Sequence, residues 1–345
     1  MTNRAFSCRF RHVTQTAANR VNHFERNGIT ISEYNTISYP YHLLKSIDTK
    51  KHNLKSSEHL INYYLFKQAY FSLILKYILH VENSLKESIS YIVGVNYGDN
   101  TYVNNSKIHL ANDYLNPSYY TTTKNKDVVE TILKNLKNKI VNPPSYCENI
   151  RKFRNETNLP PYILAHDLMF SAIIDWYYIL NTEDSINVMQ FILQKEILES
   201  ERKIISQFFL RALRLLKETR NNYAHNNSDG KYDEDNYKGI SYKSLGIIFP
   251  DNIFKSSISK NKYEKYVKKS PQSVANICLL ILLDPLSKEK FINEFIILFE
   301  NDCSKIYKLN SSKMKDDLQL NEFYTLIENM LYDKIENEDR LEEMY

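Results

Sequence analysis

The stretch FFLRALRLLKETRNNYAHNNSDGK, residues 208–231, contains the side chains best suited to chemistry. Arg220 and His225, with Asn221 beside the arginine, could break a phosphodiester without a metal. A histidine can give or take a proton near neutral pH. A guanidinium can hold a non-bridging phosphate oxygen and offset the charge that builds up in the transition state. Phe209, Leu213, Leu216 and Arg220 fall on one helical stripe. Burying an unpaired charge is costly, so a stripe that ends in arginine should open into a cleft or an interface. Five residues of ideal helix turn through about 140°, so Arg220 and His225 of one chain point in different directions. They converge only if the helix frays or kinks, or if a second copy completes the site. Spacing alone leaves a structural reading open: a histidine near the helix dipole and an arginine in a local ion pair.

The elements that must position these residues read as helices. The chain has 345 residues, 43% hydrophobic and 25% charged, which is ordinary for a folded protein. Six Gly and nine Pro are too few for the many turns of a sheet-rich fold. No GxGxxG or GxxxxGK occurs, which excludes the common nucleotide loops. Cys8, Cys147, Cys278 and Cys303 are far apart, and the histidines form no HxxxH or HExxH. No metal site and no cofactor is expected. The sparse cysteines, the lack of a secretory signal and the short apolar runs point to a cytoplasmic protein with no membrane span.

Residues 1–55 form a basic N-terminal segment, with nine Lys/Arg against three acids. Ser57 to about Val93 reads as one central buried helix or two in sequence. Leu75, Ile78, Leu85, Ile89 and Ile92 recur at three- and four-residue steps, and Glu82 falls on that stripe. Gly98-Asp99-Asn100 is a stop. Asp127 is read as the cap of a helix over Val128–Val141, and Pro160-Pro161 as the opening of another through Leu180. One or two helices cover 184–226. A loop covers 226–239, with a short β excursion at Ile240–Phe249. Three helices follow near 272–284, 286–309 and 314–340. The domain reading is a single helical domain over 56–345, with a motif-bearing region at 57–226, a loop insertion at 227–271 and closing helices at 272–340.

RNNYAH at the end of an apolar helix resembles the R-N-x-x-x-H signature of HEPN proteins, and more specifically the abortive-infection AbiD/AbiF-like family. LFKQAYFSLILKYILHVENSLKESISYIVGVNYGDNTYVN resembles the family's long helix with an acidic "IE-x-x-L-R" pattern. LPPYILAHDLMFSAIIDWYYIL resembles its "PPW…E…FG…WY" segment, and LLKETRNNYAH its "L-x-x-L-R-N-x-x-x-H" segment. The resemblance spans roughly residues 57–226, with no clear match over 1–50 and 228–270. Three positions depart from the pattern. His166 stands near a family acid with Asp167 adjacent, Ser171 replaces a glycine, and Lys86 replaces an arginine.

The resemblance implies an all-α HEPN-type helical bundle with additional helices. It also implies a homodimer whose two motifs form one composite site. The implied reaction is metal-independent cleavage of RNA by 2′-OH transesterification, in a toxin-like effector of phage defence. His225 would be the general acid/base, Arg220 the phosphate clamp and Asn221 the residue that orients one of them. Glu82 would be a buried carboxylate that orients Arg220, or half of a structural ion pair elsewhere. Arg202, Arg211, Arg214 and Tyr223 are candidate RNA contacts; a solvated helix face explains the arginines equally well. Trp176, Tyr177 and Tyr178 could stack on bases but fit a core better. The partners implied are substrate RNA and a regulatory or antitoxin RNA. The competing reading is a catalytically silent HEPN module that binds RNA or protein.

Overall fold

The computed structural model describes residues 57–99, 113–120, 125–153, 159–225, 230–249 and 253–342, with backbone alone at 57–61 and 333–342. The basic N-terminal segment and Cys8 lie outside these. The regular elements described are helical, as the scarcity of glycine and proline foretells. In order they are α1 (Ser57–Tyr97), α2 (Lys126–Val141), α3 (Glu148–Phe153), α4 (Pro161–Asp167), α5 (Phe170–Ile179), α6 (Thr182–Leu193) and α7 (Arg202–Ala224). After them come α8 (Glu234–Tyr237), α9 (Tyr242–Ile248), α10 (Ile253–Ser257), α11 (Lys260–Lys265), α12 (Pro271–Leu282) and α13 (Pro285–Ile296). The last are α14 (Cys303–Lys305), α15 (Ser311–Asp317) and α16 (Asn321–Glu342).

The chain forms two compact units. The smaller takes residues up to Leu73, Asn222–Gly230 and Glu294–Asp317. Its core is aromatic. Phe66 meets Phe299 edge-on at 5.2 Å, and Phe295 stacks on Phe299 at 4.7 Å. Phe71 stacks on Tyr223 at 4.1 Å with the rings 16° apart. Such pairs add attraction beyond the area they bury. A π-helical turn at Ile297–Asp302 links α13 to α14.

The larger unit takes Ile74–Asn221, Lys231–Asn293 and Leu318–Tyr345. At its centre α12 is buried at every position from Ser273 to Leu282, as suits a helix apolar all round. Ser270 caps α12 and Pro271 opens it. Helices α6, α8 and α16 pack on α12, and α2 packs on α5. In α1 the buried row runs Ile74, Ile78, Val81, Leu85, Ile89, Val93 and Tyr97, while Leu75 and Ile92 sit half-buried at its margin. α1 is one helix, and it stops at Gly98, whose φ of 109° suits glycine alone. Trp176 is fully buried and donates to Tyr120 Oη at 3.0 Å, so it belongs to the core.

Several sequence expectations need correction. The helix expected over 160–180 is two helices, because Leu168 and Met169 are extended. The Asp167 carboxylate accepts from the Ile150 amide at 2.9 Å and from Asn149 Nδ2 at 2.7 Å, so a tertiary contact holds the break. Asn125, not Asp127, caps α2. The β excursion at 240–249 is α9, opened by a capping box between Ser241 and Ser244. The segment 227–271, expected as a loop, contains α8 to α11. Asp233, Ser241 and Ser259 cap α8, α9 and α11.

Candidate active site

Helix α7 carries the motif. Ile205, Phe208, Phe209, Ala212, Leu213, Leu215 and Leu216 are buried, and they hold one face of the helix in the core. Thr219 is also buried, but its hydroxyl is met by the Leu215 carbonyl at 2.9 Å. Arg220, next along the stripe, is half-buried. Its Nη1 donates to Asn221 Oδ1 at 3.3 Å, and it makes no ion pair among the described residues. Asn221 is exposed, as are Ala224 and His225, the first residue beyond the helix. A long apolar face therefore ends in an arginine whose charge no carboxylate among the described residues meets. An anion would find there a donor already held at the edge of the core.

Within the smaller unit, Tyr223 is 2% exposed, and its ring is covered by Phe71 and, edge-on at 6.1 Å, by Tyr70. Expected as an RNA contact, it is a packing residue. Gly230 brings the chain back against α7. A Cβ there would meet the Asn222 side-chain amide, which would have to swing aside to admit it.

In the larger unit, two residues of α7 strap the following segment to the helix. Arg211 Nη1 donates to the Gly239 carbonyl at 2.8 Å. Glu218 accepts from Asn236 Nδ2 at 2.7 Å and from the Asp233 amide at 3.1 Å. Burial raises the Glu218 carboxyl above its ordinary range. Sequence reasoning missed Glu218. The available signal was its place two turns beyond Arg211, on the same helix face.

The other predicted residues are all engaged. The cation that Glu82 holds is Lys86, at 2.9 Å, rather than Arg220. Glu82 is 5% exposed, and its second oxygen, Oε2, has no hydrogen bond among the described residues. Arg202 pairs with Glu199 at 2.8 Å and Glu183 at 3.3 Å. Arg214 lies over the Tyr178 ring at 5.6 Å. The three arginines named as candidate RNA contacts thus each have a protein partner. Among the described residues no group of three His, Cys, Asp or Glu side chains could hold a metal ion. No helix described is long and apolar enough to cross a membrane.

The model of a family described as Abi-like protein matches residues 29–228. The match covers Arg220, Asn221 and His225. It begins well before residue 57 and takes in part of the basic N-terminal segment. No curated protein and no solved structure matches.

Proposed function

The chain belongs to the Abi-like family, and from that premise we propose that it is a metal-independent endoribonuclease acting as a toxin-like effector. Family membership supports a role in abortive infection, and it fits the HEPN character of the R-N-x-x-x-H stretch. The observation that carries the ribonuclease reading is the end of α7. An apolar stripe delivers Arg220 with no counter-charge among the described residues, Asn221 is within reach of its guanidinium, and His225 follows in solvent.

In this reading the 2′-OH of RNA attacks the adjacent phosphorus and the 5′-oxygen leaves. One His225 accepts the 2′-OH proton, and a second donates a proton to the leaving oxygen. The products are a 2′,3′-cyclic phosphate and a 5′-OH. Arg220 holds the non-bridging oxygens as charge builds on them, and Asn221 orients the guanidinium. DNA lacks the nucleophile, so the chemistry itself selects RNA. Two histidines and two arginines meet when two copies bring their α7 ends to a two-fold axis. That arrangement also removes the 140° divergence within one chain.

Complementation between dead variants tests both parts. Arg220→Ala and His225→Ala proteins should each be inactive alone. Exchanged into mixed dimers, they should regain part of the activity, because one Arg220 and one His225 then face each other across the axis, with one of the two proton transfers left to water. If mixing restores nothing although heterodimers form, the composite site is wrong. If each single variant cuts like the unmodified protein, the reaction is wrong, and a silent RNA-binding module fits better.

A further inference from the structure

A second cleft lies in the larger unit, bounded by α1, α3 and α4 and about 450 Å³ in volume. Arg220, Asn221 and His225 are not among its lining residues. Its walls include Asn83, Lys86 and Glu87 of α1, Asn149 of α3, and Tyr162 and His166 of α4. Two buried carboxylates stand behind these walls and fix them. Glu82 holds Lys86 Nζ at 2.9 Å, and the same ammonium donates to the His166 carbonyl at 3.3 Å. Asp167, whose side chain is 4% exposed, holds Asn149 through its Nδ2 at 2.7 Å. That amide nitrogen also lies 3.0 Å from His166 Nδ1. Asp167 Oδ1 lies 3.4 Å from the same Nδ1. An amide nitrogen only donates, so the tautomer that completes the Asn149 contact accepts at Nδ1 and carries its proton on Nε2. Asn149 keeps its amide oxygen as an acceptor.

The side chains that reach furthest out are rings. Tyr162 is 58% exposed, and the His166 side chain is 76% exposed. They lie one helical turn apart on α4, on one face. An aromatic face left in water beside rigidly held donors and acceptors suits a flat, polar ligand. The charge balance narrows the choice. Lys86 is neutralised by Glu82, and Glu87 adds a negative charge at the rim, so among the lining residues a phosphate finds no unpaired cation. A neutral ring with a hydrogen-bonding edge remains.

We infer that this cleft seats one unpaired base of single-stranded RNA, stacked on Tyr162 and read at its edge by the His166 Nε2–H and the Asn149 amide oxygen. The inference rests on the reading of the protein as one that acts on RNA. It adds to that reading a place where sequence could be recognised away from the scissile phosphate.

The test uses the full chain with His225→Ala, which keeps substrate intact, and a fluorescein-labelled single-stranded RNA carrying 4-thiouridine. Anisotropy titrations are run over a range of salt. Tyr162→Ala should weaken binding by about 5- to 100-fold, the range for loss of one base stack. The slope of log K against log salt should not change, because no phosphate contact is removed. Tyr162→Phe should bind normally, since the ring is kept. Ultraviolet crosslinks should map to the peptide containing Tyr162 and His166. Unchanged affinity in a folded Tyr162→Ala protein, crosslinks confined to other peptides, or no RNA binding at any salt would overturn the inference. Its failure is separable from failure of the ribonuclease reading. Tyr162-dependent binding by a protein that never cleaves RNA leaves the base cleft standing and defeats the enzyme. Arg220-dependent cleavage with binding indifferent to Tyr162 does the reverse.

Discussion

Replacing Arg220 by alanine should separate chemistry from folding, and the structure sets both magnitudes. Among the described residues the half-buried guanidinium bonds Asn221 alone, at 3.3 Å, and no described carboxylate is left unpaired when it goes. A single hydrogen bond of this kind contributes about 0.5–1.5 kcal/mol. In a chain of this size 1 kcal/mol moves Tm by about 2–4 °C or less. The variant should therefore melt within about 5 °C of the unmodified protein. The catalytic cost should be far larger. Removing one donor from a developing phosphate charge lowers kcat by about 10²–10³-fold. Arg220→Lys, which keeps the charge but loses the planar fork, should fall between the two. The assay is cleavage of a fluorophore–quencher RNA in EDTA, run beside thermal unfolding of the same samples. A folded Arg220→Ala protein that cuts at full rate would refute the assignment. A collapse in Tm of the size of a core deletion would refute the picture of an open helix end.

His225→Ala should lose about 10²–10⁴-fold in rate with little change in Tm, and the unmodified protein should leave 2′,3′-cyclic phosphate ends, read by end-specific ligation. Glu82→Gln weakens the hold on Lys86 and should cost about 1–3 kcal/mol in denaturant unfolding, while cleavage per folded molecule stays unchanged because Arg220 is not its partner. Glu218→Ala strands the Asp233 amide and Asn236 and should speed hydrogen exchange across 232–249, with a stability loss of about 1–3 kcal/mol. Burial pushes the Cys303 thiol from its ordinary 9.0 up to about 11. The folded state keeps that proton where the unfolded state releases it, so this contribution is full below pH 9 and is lost as pH rises towards 11. Urea titrations across that range should show falling stability, and Cys303→Ser should flatten part of the fall.

Features carried by periodicity were legible in the sequence. α1, α7 and α12 announce themselves by apolar spacing, and the α7 stripe ending in Arg220 is present as read. What was not legible depends on contacts far along the chain or on side-chain capping. Nothing local in PYILAHDLMF marks the break at Leu168, because Asp167 is engaged by α3. The β excursion read at 240–249 is a helix whose start rests on two serines. Glu82 lies on a buried face as read, and of the two roles left open for it the described contacts give the ion pair, with Lys86. Tyr223 sits within a polar string that suggests exposure, and its packing against Phe71 and Tyr70 makes it core.

That stack bears on how a helix end can be a working part. The last turn of a helix has carbonyls without partners and tends to fray. Here the ring of Tyr223 is pinned on Phe71, two residues before His225. The pin sets the rotation of the final turn, so the imidazole can stand in water and still leave the backbone at one fixed angle. The middle x of R-N-x-x-x-H is then not a spacer but a mooring. Exchange of Asn222 or Ala224 leaves the mooring in place, whereas loss of the ring at 223 would let the histidine drift while every reactive group remained present.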